Sequence, residues 1–178
     1  MSSEEWPPSY PPPASSRPLR GRVLDALLDE GLRPDVDADG DVAFTLRGQR
    51  LFVRCVDPDP DLDPGGGAAR PDRLRGRVPL ARVFGQWHLG DSVPADPLLR
   101  LRAANDITAR YDLVKASLHD DVLLVLVDLV VVDAADDAPL RPLLTGAAAG
   151  VLSAVRAWYA AAGGHGPGGA GAGTPGAP

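Results

Sequence analysis

Residues 122–132 read VLLVLVDLVVV, and this run constrains the fold more than any other stretch. Its β-branched character favours a strand, and it is about half the roughly 20 residues a membrane-spanning helix needs. The odd positions Leu123, Val125, Val127, Leu129 and Val131 are apolar, as a core face requires. The even positions Val122, Leu124, Leu126, Val130 and Val132 are apolar too, broken only by Asp128. A strand covered on one side alternates with polar residues, so this one is expected to be covered on both. The cover is expected from the last helix on one side. The far side is left to the chain itself, a second copy or another protein. Phe52 and Phe84, of opposite parity to Val53 and Trp87, extend that far face. The candidate partner or dimer surface is therefore Phe52, Phe84, Leu124, Leu126 and Val130.

The remaining elements follow from periodicity and turn residues. Pro18 to Gly31 carries a helical pattern, with Val23, Leu24, Leu27 and Leu28 on one face and Gly31 suited to the position after the helix end. DVAFTL (41–46) and LFVRCV (51–56) flank RGQR and predict a hairpin. VPLARVFGQWHL (78–89) predicts a third strand. A second helix is expected from about Pro94 to Tyr111, capped by Ser92, with Leu98, Leu101, Ala104, Thr108 and Tyr111 in a stripe that also holds Asn105. DLVKASL (112–118) and the 122–132 run flank HDD, a second hairpin. The last helix is expected from Pro139 to Ala162. The order α-βββ-α-ββ-α, with hairpin-linked strands, predicts an α+β fold with a mainly antiparallel five-stranded sheet.

Composition bounds the domain. Residues 1–16 and 163–178 are dominated by Pro, Gly, Ala and Ser and are expected to be disordered, because they cannot bury enough apolar surface to offset ordering. A single domain over 17–162 is expected, with a flexible insertion at 57–77, DPDPDLDPGGGAARPDRLRGR. Those roughly 145 residues suffice for a core burying about two thirds of the unfolded surface. The net charge of −6 and scattered arginines argue against nucleic acid as a partner. Lys115 is the only lysine, a composition typical of a GC-rich genome. Cys55 stands alone, so no internal disulfide or paired-cysteine metal site is expected. The N-terminus lacks a charged start followed by an apolar run, and a cytoplasmic location without membrane attachment is expected.

The candidate chemical sites each have a structural reading beside the functional one. DVDADGD (35–41) carries aspartates at the first, third and fifth positions of a calcium loop and glycine at the sixth. The twelfth position, which must supply a bidentate carboxylate, is Leu46. An Asp-Gly turn into a strand accounts for the same letters. His88, His119 and His165 show no ligand spacing, and Ser117, His119 and Asp120 are too close along one segment to converge as a triad. No catalytic residue, cofactor site or metal site is expected. Asn105, on an apolar stripe, is expected to make a structural hydrogen bond, since a buried amide without partners costs about 1–3 kcal/mol. Gly146 and Gly150 form GxxxG, expected to permit close packing in the core. WPPSY (6–10) contains a PPxY motif that is expected to be incidental in so proline-rich a tail.

Two longer phrases carry a resemblance. EGLRPDVDADGDVAF and AANDITARYDLVKASLHDDVLLVLVDL, within the element order over 18–162, resemble the YbjN-like domain family, similar in fold to type III secretion chaperones. The insertion 57–77 departs from the family's short strand connection. The resemblance implies a non-enzymatic sensory-transduction regulator or chaperone-like binder, and chaperones of that fold dimerise and hold an extended client. The expectation is a cytoplasmic protein-binding module, homodimeric, with its client unnamed. The alternative is a small-molecule or metal-sensing regulator using the acidic turn 35–41.

Overall fold

The computed structural model describes residues 17–57, 79–131 and 139–163. In chain order they form α1 (Leu19–Asp29), β1 (Asp35–Val36), β2 (Val42–Leu46), β3 (Gln49–Val56), β4 (Leu80–His88), α2 (Pro97–Arg110), β5 (Val114–His119), β6 (Val122–Val130) and α3 (Leu140–Ala161). The fold is α+β, with an open six-stranded antiparallel sheet in the order β1-β2-β3-β4-β6-β5. The sheet has one strand more than the five expected. The addition is β1, where Asp35 pairs with Ala43 and Val36 with Val42. Two residues are too few to show alternation, so this strand is hidden inside the acidic turn. The expected disordered tails and the insertion beyond Asp57 lie outside the described residues.

The chain packs as two compact units. One holds the described residues up to Val83 together with Asp128–Ala148; the other holds Phe84–Val127 and the residues from Ala149 onward. β4, β6 and α3 each run from one into the other.

In the first unit α1 packs on β2 and β3. Leu19, Val23, Ala26 and Leu27 are buried on the helix, and Val42, Phe44, Leu51 and Val53 on the strands. The expected helical face is thus rotated slightly: Leu28 is exposed, Leu24 half-buried, and Leu19 and Ala26 take their places. The helix ends as Gly31 predicts. Gly31 adopts φ +76°, its N–H donates to the Leu28 carbonyl (2.8 Å), and the Leu32 N–H donates to the Leu27 carbonyl (3.1 Å). Those two bonds define a Schellman end, which satisfies carbonyls the helix leaves open. Between β2 and β3 only Arg47 and Gly48 turn the chain, at φ +52° and +75°, and Leu46 pairs with Gln49. Positive φ at both positions is the mark of a type I′ turn, whose twist matches the strands. Leu140, Leu144, Ala147 and Ala148 are buried on the first part of α3, and Arg141 there pairs with Glu30 of α1 at 2.9 Å.

In the second unit α2 starts later than Ser92 and Pro94 suggest. Residues 90–92 form a short 3-10 turn, and Asp96 is the cap, accepting from the N–H groups of Leu98 (2.9 Å) and Leu99 (3.4 Å) with Pro97 opening the helix. Arg100 fastens the preceding loop. Its buried guanidinium donates to the carbonyls of Pro94 (2.9 Å) and Val93 (3.2 Å) and to the Asp121 carboxylate (2.8 Å). The buried face of α2 is Arg100, Ala103, Ala104 and Ile107, so the expected stripe is out of phase. Leu98 and Leu101 are 54% and 52% exposed, and Thr108 is exposed as well. Small alanines let the helix lie close along β5, while Thr108 Oγ1 accepts from the Ala116 N–H at 3.3 Å. That bond occupies a donor on the sheet's edge strand, the kind of group that otherwise invites a foreign strand.

β5 and β6 form the expected hairpin around Asp120 and Asp121, with His119 opposite Val122 and Asp120 at φ +50°. On the later part of α3, Val151, Leu152, Ala154, Val155, Trp158 and Tyr159 are buried, the two rings meeting edge to face at 5.3 Å. The glycine pair on α3 is a correction to the sequence reading. A Cβ added at Gly146 or at Gly150 would meet nothing within 4 Å, so neither glycine is needed for close packing among the described residues.

Candidate functional site

β6 separates its two apolar sets by burial. Leu123, Val125, Val127 and Leu129 are buried, whereas Val122, Leu124, Leu126 and Asp128 are half-buried and Val130 is 55% exposed. Among the described residues the far face is thus half-open. Asp128, the one polar break, needs no outside partner: Arg82 on β4 grips it with two bonds of 2.7 and 3.1 Å. Fork-to-fork pairing of this kind fixes orientation as well as charge.

In the second unit the neighbours of this face follow from register. Lys115, Ser117 and His119 of β5 stand opposite Leu126, Leu124 and Val122. On the other flank the Leu89 N–H donates to the Asp121 carbonyl at 2.8 Å, which sets His88, Gln86 and Phe84 beside the same three residues. The result is an apolar row on β6 framed by polar groups on the β5 side and by His88 and Gln86 on the β4 side, where Phe84 adjoins Leu126. Phe84 differs from expectation. It has the right parity but is buried, at 7% exposed, so its ring is not offered outward as the half-buried Leu124 and Leu126 are. In the first unit Phe52 is half-buried on β3, with the Arg50 guanidinium 5.5 Å from its ring centre and Asp35 3.8 Å from Arg50. Asn105 is exposed on α2, so the premise of a buried amide seeking a partner does not hold.

The acidic stretch is a hairpin turn between β1 and β2. The Asp37 carboxylate accepts from the N–H groups of Asp39 (3.0 Å) and Asp41 (2.9 Å), the Asp37 N–H donates to the Asp41 carbonyl (3.0 Å), and Gly40 takes φ +83°. Asp41 is buried and held by Arg54 through two bonds of 2.9 and 2.6 Å. The bond to Asp41 holds the Arg54 guanidinium's pKa above its ordinary value, burial opposing this, with Asp39 and Asp37 adding a weaker pull. Of the groups that a calcium loop would need, the third-position carboxylate of Asp37 and the seventh-position carbonyl of Asp41 are therefore already engaged by backbone N–H groups.

Beside this turn lies a cleft of about 430 Å³, lined by Arg20, Asp39, Gly40, Asp41, Arg54, Cys55, Val56 and Asp57. Asp57, at the end of β3, accepts from the Leu19 N–H at 3.0 Å and so caps α1 from a distance of 38 residues in sequence. Arg20 reaches the Gly40 carbonyl at 3.4 Å. Burial pushes the Cys55 thiol up to about 12; Asp57 and Asp41 add to the shift and Arg20 opposes it. A thiol so held is protonated at neutral pH and is a poor nucleophile. The cleft can offer hydrogen bonds and mixed charge, but no activated group.

Sequence reasoning missed the cleft, since its wall joins a helix start, a turn and a strand end that are far apart in the chain. Among the described residues no three His, Cys, Asp or Glu side chains gather as a metal site. His165 and the PPxY motif lie outside the described residues. Comparison with protein-family models, with curated proteins and with solved structures gives no match.

Proposed function

We propose that the chain is a non-enzymatic protein-binding module of chaperone-like or regulatory type, working in the cytoplasm as a homodimer or with a client. The observation that carries this reading is the burial pattern of β6: one apolar set fully enclosed, the other apolar set left half-open at Val122, Leu124 and Leu126. Half-open aliphatic side chains gain about 25 cal/mol for each Å² that a partner removes from water, while the flanking polar groups stay hydrated as a rim. The YbjN-like resemblance in the acidic turn and the last hairpin supports the same class. Light scattering on the full chain tests it. The wild type should give a mass above the monomer or bind a partner chain, and Leu126→Asp should abolish either; a monomer that binds no partner at any concentration would remove the reading.

A second reading, a small-molecule sensor at the acidic turn 35–41, rests on the cleft beside that turn. Its metal version is weakened by the engagement of the Asp37 carboxylate and the Asp41 carbonyl within the turn. Calorimetry with calcium and magnesium separates the two: heat that disappears in Asp39→Asn would favour the ion.

A further inference from the structure

The cleft beside the acidic turn carries a charge pattern that sequence spacing does not reveal. Arg54 and Asp41 are bonded to each other, which leaves Arg20, Asp39 and Asp57 as its remaining charged groups. Among the described residues no bond engages the Asp39 carboxylate, Arg20 donates only to the Gly40 carbonyl at 3.4 Å, and Asp57 accepts from the Leu19 N–H through one oxygen. The chain from Arg54, held at the turn by Asp41, to Asp57, held at the start of α1, is extended over about 10 Å. Arg20 meets Gly40 at the turn end, next to Asp39. Cys55 and Val56 line the stretch between the two ends. With its thiol protonated, Cys55 acts there as a small apolar group. The volume of about 430 Å³ lies within the range of about 300–1,000 Å³ usual for small-molecule sites.

We infer that this cleft binds a basic α-amino acid. Its carboxylate pairs with Arg20, its α-ammonium with Asp39 and its side-chain cation with Asp57, while the stem lies along Cys55 and Val56. A stem of roughly three or four methylenes, with bonds of about 1.5 Å and a charged contact of about 2.8 Å at each end, covers the span of about 10 Å. One cation and two anions on the protein thus meet one anion and two cations on the ligand. A dicarboxylate would face two like charges, and a simple diamine would leave Arg20 without a counter-charge. The inference rests on the small-molecule reading of the cleft and names its ligand class.

The test is an NMR titration of the full chain, following the backbone amides of residues 39–41 and 54–57. The probe is L-arginine, compared with agmatine, which lacks the carboxylate, citrulline, which lacks the side-chain charge, and glutamate. Arginine should shift these amides saturably at about 1 mM or below. Agmatine and citrulline should bind at least about threefold more weakly, the loss of one solvent-exposed charge pair, and glutamate should not bind. Arg20→Gln should remove the preference for arginine over agmatine. Asp57→Asn, which keeps an acceptor for the Leu19 N–H, should remove the preference over citrulline. Asp106→Asn, on α2, should change neither. Arg20 and Asp57 are exposed, so the amide spectra of both variants should otherwise match wild type. Agmatine, citrulline or glutamate binding as tightly as arginine, or preferences that survive in the variants, would overturn the amino-acid assignment and leave a small-molecule cleft in place. Silence of these amides toward every probe would overturn the small-molecule reading as well.

Discussion

Replacing Asp37 by alanine removes one carboxylate and two hydrogen bonds from the turn between β1 and β2. The bond to the Asp39 N–H is exposed, and water replaces it at little cost. The bond to the Asp41 N–H is partly buried. A hydrogen bond to a charged group contributes about 1.5–3 kcal/mol net, so Asp37→Ala should cost about 2 kcal/mol. Asp37→Asn keeps an acceptor without the charge and should cost about 1 kcal/mol. With a urea slope of about 1.5 kcal/mol/M, the midpoint should fall by about 1.3 M for alanine and about 0.7 M for asparagine. Urea titration followed by tryptophan fluorescence reads this, run once in chelator and once with calcium. The two curves should coincide for every variant. A midpoint shift for Asp37→Ala below about 0.2 M would refute the structural role. A calcium-dependent rise in wild type that Asp37→Ala lacks would show that the turn holds an ion.

Three further outcomes follow from other parts of the fold. Arg100→Met should destabilise by about 2–4 kcal/mol, because the carbonyls of Val93 and Pro94 lose a charged donor; chemical denaturation measures it. Gly146→Ala and Gly150→Ala should each stabilise by about 0.5–1 kcal/mol, since the new methyl meets open space and helix propensity improves; the melting temperature reports the gain. Cys55 should resist thiol reagents in the folded chain at neutral pH and react once unfolded. Its thiol is raised from 9.0 to about 12, so between those values the folded state keeps a proton that the unfolded state has lost, and stability should fall as pH rises through that window.

Elements with strong local signals were legible in the sequence. Gly31 marked the end of α1, the Asp-Gly turn led into β2, and HDD joined two strands, because each depends on backbone conformations only a few residues adopt. Phase was harder. On α2 the leucines suggested one face, yet Ala103, Ala104 and Ile107 are buried with Arg100, since close approach to β5 favours small side chains over large ones. β1 escaped notice because two residues carry no period. The pairing of Asp128 with Arg82, 46 residues away, and the capping of α1 by Asp57 are tertiary events with no local signature.

The most direct measurement of the docking account is oxidative footprinting of Leu124 and Leu126 in the full chain, from dilute to concentrated solution and with candidate partner fractions. The account predicts that both side chains lose reactivity on self-association or partner binding, while exposed Leu98 and Leu113 keep theirs. Unchanged reactivity at Leu124 and Leu126 in a sample that light scattering shows to be associated would contradict it, because assembly would then proceed through another surface.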